Sequence, residues 1–268
     1  MSRGKLHSFL VPVLTVIACL GLVISSSYAD DWPSVLKKTR AKYAKYDETI
    51  HDITTQQKIM IVTPDRKITT EATQFKKKNK FRMENSIELP EMPKEMGPVK
   101  TIVIYDGQDT WMLSSMMGKQ KLSGDDEKQY QSANDWWNFL SESAELTGTE
   151  EVAGRNCYVV KLSETDSSPY STLWLDKKEL ILIKAESEVS GGQQVDMHFS
   201  EFKEIEGGWQ MPYQTDLYMD GQLASSVKVV SIEVNKGLSD DLFDVDKADV
   251  KGPSMQDMMK MMQDQGGD

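Results

Sequence analysis

The chain opens on an uninterrupted apolar run from Phe9 to Ile24, preceded by Arg3 and Lys5 and followed by Ser25, Ser26 and Ser27. A basic start, an apolar stretch and a small-x-small site at Ser27-Tyr28-Ala29 predict a signal peptide over residues 1–29, cut between Ala29 and Asp30. The run is shorter than the roughly 20 residues that span a bilayer. Val16-Ile17-Ala18-Cys19 also fits the pattern in which a cysteine is acylated and becomes the mature N-terminus. The residues after Cys19 stay apolar, however, so soluble export is favoured over a lipid anchor.

After the leader the pattern changes period. In residues 32–47, Val35, Leu36, Tyr43 and Tyr46 recur at helical spacing and Pro33 suits a first turn, which predicts an amphipathic helix. From residue 49 the period is two. Thr-, Ile- and Val-rich stretches predict two or three strands up to residue 86, with a turn at Thr63-Pro64-Asp65-Arg66. Residues 88–99 hold three prolines and three acidic residues and predict a loop. Strands follow at 100–105, 109–113 and 117–122, the first two joined at Asp106-Gly107. A short helix at 133–142, capped by Asn134 or Asp135, separates these from strands at 145–152, 156–163, 170–176, 180–189, 194–206, 209–219 and 222–234.

Short strands linked by hairpin turns predict a mainly β protein: an antiparallel sheet of about ten strands, curled into a barrel or half-barrel, with two lid helices. Such a curled sheet encloses either a filled core or an apolar container, and periodicity does not separate the two.

Charge and chemistry narrow the function. Cleavage at Ala29 removes two basic and no acidic residues, leaves 239 residues and moves the net charge from −11 to −13. A chain this acidic does not bind nucleic acid through a general field. Cys157 is then the only thiol, so an internal disulfide is excluded and stability must come from packing. His51 and His198 are far apart in sequence, and no Gly-x-Ser-x-Gly elbow is present. Asp240, Asp241, Asp244 and Asp246 lack the glycine and terminal glutamate of a calcium loop and read as a solvated acidic turn. These features argue against an enzyme, a cofactor or a resident metal. Trp111, Trp136, Trp137 and Trp174 are the large apolar assets, either as core or as cavity lining. Adjacent residues on a helix point about 100° apart, so one of Trp136 and Trp137 leaves the core unless a second apolar surface, such as a cavity, receives it.

The runs TQFKKKNKFRMEN and VIYDGQDTWML, then GTEEVAGRNCYVVKL, STLWLDKKELILIKAE, EFKEIEGGWQMPYQ and VVSIEVNKGLSDDLFDV, resemble the LolA/LolB superfamily of outer-membrane lipoprotein-sorting proteins in order and spacing. The likeness runs through most of residues 32–246. It implies a LolA-like half-barrel domain over 30–250 with a helical lid, and a periplasmic carrier that shields lipid or lipoprotein acyl chains between partner proteins of the inner and outer membranes. On that reading Phe81, Met83, Trp111, Leu113, Trp136, Trp137 and Trp174 line the apolar cavity, and Arg82 hydrogen-bonds the lid. An envelope stress sensor or scaffold with the same fold is the alternative. The Pro/Met loop, the strong acidity and the Met-rich tail over 251–268 depart from the family pattern. In that tail Met255, Met258, Met259 and Met262 form a helical stripe suited to a plug, a docking helix or a Cu(I) site, which Met92, Met96, Met112, Met116 and Met117 could join.

N-terminal sequencing of the exported product is expected to begin at Asp30. A product beginning at an acylated Cys19 would reverse that expectation.

Overall fold

The computed structural model describes residues 30–88, 97–124, 127, 130, 135–163, 168–189, 192–250 and 259. The chain divides into two units, Met1–Asp30 and Asp31–Asp268, and every helix and strand described belongs to the second. Its first element, α1 (Trp32–Thr49), starts where Asp31 accepts a hydrogen bond from Ser34 N at 2.9 Å, with Pro33 in the first turn. Trp32, Val35, Leu36, Thr39, Tyr43 and Tyr46 form its buried face. The helix runs two residues past the expected end and stops at Ile50, whose backbone is extended.

Fifteen strands follow among the described residues. They are β1 (Asp52–Val62), β2 (Lys67–Lys77), β3 (Lys80–Ile87), β4 (Val99–Tyr105), β5 (Thr110–Ser114), β6 (Gly118–Lys121), β7 (Glu145–Val152), β8 (Arg155–Lys161), β9 (Thr172–Asp176), β10 (Leu182–Val189), β11 (Gln193–Ser200), β12 (Lys203–Ile205), β13 (Trp209–Met211), β14 (Gln214–Met219) and β15 (Gln222–Val234). Thirteen of them make one antiparallel sheet in the order β6-β5-β4-β3-β2-β1-β15-β14-β11-β10-β9-β8-β7, and β12–β13 is a separate hairpin. The sheet is open, with β6 and β7 at its two ends. Its make-up is that of a LolA-like half-barrel, mainly β and antiparallel, but the strand number exceeds the expected ten.

Two local breaks account for part of the excess. The expected strands 194–206 and 209–219 each split, because Glu201 adopts φ +51° and Pro212 has no N–H for a ladder. The chain between them leaves the sheet as the β12–β13 hairpin. Asp106-Gly107 turns as expected: Asp106 Oδ1 accepts from Gln108 N at 2.8 Å and Asp109 N at 2.9 Å, and Gly107 takes φ +103°. The expected helix at 133–142 is instead a single 3-10 turn, Trp136–Phe139, within the described part of that stretch. Asp135 makes no side-chain cap bond, and Asn134 lies outside the described residues, as do residues 89–96 of the Pro/Met loop. The Met-rich tail lies outside them too, except Met259, which is helical and exposed.

Register assigns the faces. Ile53, Thr55 and Gln57 on β1 sit opposite Val234, Ile232 and Val229 on β15, and opposite Lys76, Gln74 and Ala72 on β2. Phe81, Met83 and Asn85 on β3 continue the same rows. This face meets α1, and the main core of Val35, Leu36, Tyr43, Tyr158, Val160, Leu173, Leu175 and Ala185 lies between them.

The opposite, outer face carries a row of Phe75, Arg82, Ile104 and Trp111 and a second of Glu84, Ile102 and Leu113. The C-terminal strap of residues 238–250 covers it, with Phe243 buried among Ile102, Ile104 and Leu113. Asp52 anchors the start of the strap by accepting from the backbone N–H groups of Lys236, Gly237 and Leu238 at 2.8, 2.9 and 3.3 Å.

Phe243→Ala is expected to cost about 3–5 kcal/mol, because Phe243 is fully buried at the centre of the cluster under the strap. Urea unfolding of the variant measures it.

Candidate functional site

Between α1 and the sheet lies a cavity of about 210 Å³. Its floor is Thr55 and Gln57 of β1, Gln74 of β2, Thr215 of β14, Val227, Val229 and Ile232 of β15, with Leu182 and Phe199 beyond. Its roof is aromatic and comes from three separate segments: Tyr43 and Tyr46 on α1, Trp136 and Trp137 on the 3-10 turn, and Trp209 on the β12–β13 hairpin. Tyr43 stacks on Trp137 with centroids 4.3 Å apart, and the Trp136 ring meets Tyr43 edge-on at 5.1 Å. Tyr46 contacts Trp137 at 5.4 Å and Trp209 at 5.2 Å, both edge-on. Gly207 at φ +83° makes room for this hairpin. A Cβ there would lie 3.0 Å from both Trp209 Cδ1 and Thr49 Cγ2.

The adjacent tryptophans both stay inside, Trp136 in the main core and Trp137 packed against it. The 3-10 turn sets their rings at 84° with centroids 6.0 Å apart, and Tyr43 fits against both. The packing has a cost. Trp137 Nε1 and Trp209 Nε1 are buried without a hydrogen-bond partner, each a loss of about 1–3 kcal/mol.

The electrostatics of the roof follow from burial. Burial raises the Tyr43 and Tyr46 hydroxyls well above the usual phenol range, and Asp135 and Asp47 push Tyr46 further. Asp47 is raised first by burial and then by the Asp135 carboxylate, with Lys76 opposing. Lys76 is itself ion-paired to Asp135, and its Nζ sits 5.6 Å from the Trp137 ring. Lys42 is lowered by burial, against the pull of Glu179 and Asp176.

The candidate residues divide between the two faces. Trp136 and Trp137 are in the roof. Phe81 and Met83 share the helix-side face; Phe81 is buried and packs on Tyr105 at 5.9 Å. Trp111 and Leu113 lie on the outer face, under the strap. Trp174 is also on the outer face, where it packs with Cys157, Ile181 and Ile183 and donates to Glu150 Oε2 at 2.7 Å.

Arg82 likewise points outward. It donates to the Leu242 carbonyl at 3.0 Å and to Glu84 at 2.6 Å, so it holds the strap instead of α1. Strand alternation explains the division, since Arg82 lies between Phe81 and Met83 and must face the other way. Ala29 lies outside the described residues and Asp30 is half-buried.

Tyr43, Tyr46, Trp209, Lys42, Gln57 and Gln74 complete the site but were not among the sequence candidates for it. The helical spacing of the tyrosines marked a buried face, and Gly207-Gly208 falls in the gap between the strands expected at 194–206 and 209–219. Neither signal says that the two meet.

The remaining polar candidates have structural partners. Asp240 pairs with Lys77 and Lys80 at 3.3 and 3.6 Å, Asp241 and Asp244 pair with Lys247, and Asp246 pairs with Lys119 at 2.6 Å. His51 is exposed, and His198 rests against Tyr218 on the outer face. Burial pushes the Cys157 thiol up to about 11, away from thiolate chemistry at neutral pH. Among the described residues no three His, Cys, Asp or Glu side chains are grouped to hold a metal ion.

Asp47 yields a pH prediction. Its value in the folded protein is raised, so the charged form opposes folding above that value and the penalty disappears as pH falls through it. Asp47→Asn is therefore expected to raise the thermal midpoint at pH 7, with the gap from the parent closing in acid. Thermal scans of both proteins across pH check it.

Residues 108–247 match the model of a family described as "uncharacterized protein". No curated protein matches the sequence. Three solved structures share the fold. A LolA superfamily protein from Nitrosomonas europaea is 21% identical with a TM-score of 0.56, over 82% of this chain and 100% of that one. A DUF1329 family protein from Desulfovibrio piger is 17% identical with a TM-score of 0.59, over 81% and 99%. A domain from Vibrio parahaemolyticus, named for outer membrane lipoprotein sorting, is 11% identical with a TM-score of 0.56, over 81% and 98%. At these identities the likeness establishes the fold.

Proposed function

The chain belongs to the family matched over residues 108–247 and has a LolA-like fold, and from these premises we propose that it is a periplasmic carrier or binding protein for lipid or lipoprotein acyl chains. Export would follow from the leader over residues 1–29. The chains would lie between the sheet and α1. The name of the Vibrio domain, for lipoprotein sorting, supports the class of ligand.

The observation that carries the reading is the way the roof is closed. Three segments distant in sequence are brought together there mainly by aromatic rings. Beyond the rings, lifting would part the Lys76–Asp135 ion pair and the Lys42 and Tyr43 bonds to the Glu179 and Leu180 carbonyls.

Size makes separation necessary. At about 210 Å³ the cavity is smaller than the roughly 300–1,000 Å³ of drug-sized sites, so a long acyl chain enters only if α1 and the 3-10 turn lift from the hairpin. The magnitudes favour lifting. Each aromatic pair contributes about 0.5–1.5 kcal/mol, and opening also frees the two orphaned indole N–H groups. Sheltering one long acyl chain from water gains on the order of 10 kcal/mol. Loading then outweighs the ring pairs it breaks. Such a task needs apolar surface and no catalytic group.

Solvent extraction of the mature protein purified from an envelope fraction, followed by mass spectrometry, is expected to release acyl lipid in near-stoichiometric amount. Adding lipid to stripped protein should shift the fluorescence of Trp136, Trp137 and Trp209. A protein that carries no lipid and shows no shift would overturn the reading.

A further inference from the structure

We infer that the ligand of this cavity is an amphiphile with an anionic head, a carboxylate or phosphate seated at Lys42 while the alkyl chain occupies the space under the aromatic roof. The inference rests on the reading of the cavity as an acyl site and adds the chemistry of the head group.

Lys42 lies on the lid helix and lines the cavity. Its Nζ sits 5.8 Å from the Tyr43 ring centroid and 5.9 Å from that of Trp209, between two of the three roof segments. It donates a hydrogen bond to the backbone carbonyl of Glu179. No carboxylate of the described residues forms an ion pair with it, because the acids nearest to it are engaged elsewhere. The Glu179 carboxylate pairs with Lys178 at 3.6 Å. Asp176 pairs with Arg155 at 3.2 Å and accepts from the N–H groups of Lys178 and Glu179.

Lys76 makes the contrast. It is the other ammonium at the aromatic cluster, and Asp135 neutralises it. Among the described residues the fold thus supplies a counter-ion to the cation beside Trp137 and none to the cation that lines the cavity. Burial disfavours the charge on Lys42, and it does so despite the field of Glu179 and Asp176. An anion brought by the ligand would remove that penalty, and in a partly desolvated setting the pairing is stronger than at an open surface.

The net charge of −11 repels anions at a distance, so their recognition here must be local. A volume of about 210 Å³ suits one medium chain in the closed form, since a cavity of roughly 150 Å³ already accepts a benzene ring.

The test uses decanoate, decyl phosphate, methyl decanoate and decanol with the mature protein, read by calorimetry or by displacement of an apolar fluorophore. The anions are expected to bind about tenfold tighter than the neutral ester and alcohol. Lys42→Met should erase that preference and leave methyl decanoate affinity within about twofold, while Lys42→Arg keeps the preference. A preference for only one anion identifies the head group. Equal binding of decanoate and methyl decanoate, or a preference that survives Lys42→Met, overturns the inference and leaves the acyl site standing. Failure of all four to bind overturns the acyl site as well.

Discussion

The pairing of β1 with β15 joins residues 164 to 181 positions apart and turns two meanders into one sheet. Ile53 opposite Val234 and Thr55 opposite Ile232 set the register there. That register sends Thr55, Gln57, Val229 and Ile232 toward α1 as the cavity floor. Near the middle of the seam the register shifts by one residue between Gln56 and Gln57, and Val230 is the extra residue, left exposed. The bulge lets both Val229 and Ile232 face the helix although they are three positions apart. The same seam places Asp52 beside Lys236, Gly237 and Leu238, where it anchors the strap. A slip of one residue would turn the floor outward and release the anchor. Contacts of such sequence separation also form late and slowly in folding.

The two faces of the sheet are held by different chemistry. The strap on the outer face is fastened by directional bonds: Asp52 to three N–H groups, Lys77 to the Leu238 carbonyl at 2.7 Å and Arg82 to the Leu242 carbonyl. These bonds fix the path of the strap, and Phe243 buried beneath it adds apolar area that removal would expose. The roof on the helix side is held mostly by rings, whose contacts are worth little singly and lose little when separated. The helix side is thus closed by rings together with the Lys76–Asp135 ion pair and the hydrogen bonds from Lys42 and Tyr43 to the carbonyls of Glu179 and Leu180, while the strap side relies on bonds to its backbone.

The sequence was most legible where a signal is local. The period of α1, the Asp106-Gly107 turn and the alternation of the long strands each depend on a few neighbouring residues, and the structure has them. Trp136 and Trp137 were also legible as a pair of which one leaves the core unless a second apolar surface receives it. Trp111, Leu113, Trp174 and Arg82 were harder, because alternation shows that Phe81 and Arg82 face opposite ways without showing which face the helix covers. Here the outer face is apolar as well, since the strap needs it, so large apolar side chains do not mark the cavity side.

What the sequence determined alone is the antiparallel β class, the first helix with its tyrosine stripe, and a single cysteine beyond residue 29. These follow from periodicity and residue count, which operate within a few residues or over the whole chain. The tertiary structure decided which face is the inside, that Tyr43, Trp137 and Trp209 meet in one roof, and that Lys42 lines the cavity with no carboxylate among the described residues paired to it. Those facts depend on the β1–β15 register and on where three distant segments cross. Burial and pairing are properties of that crossing, and no local pattern encodes it.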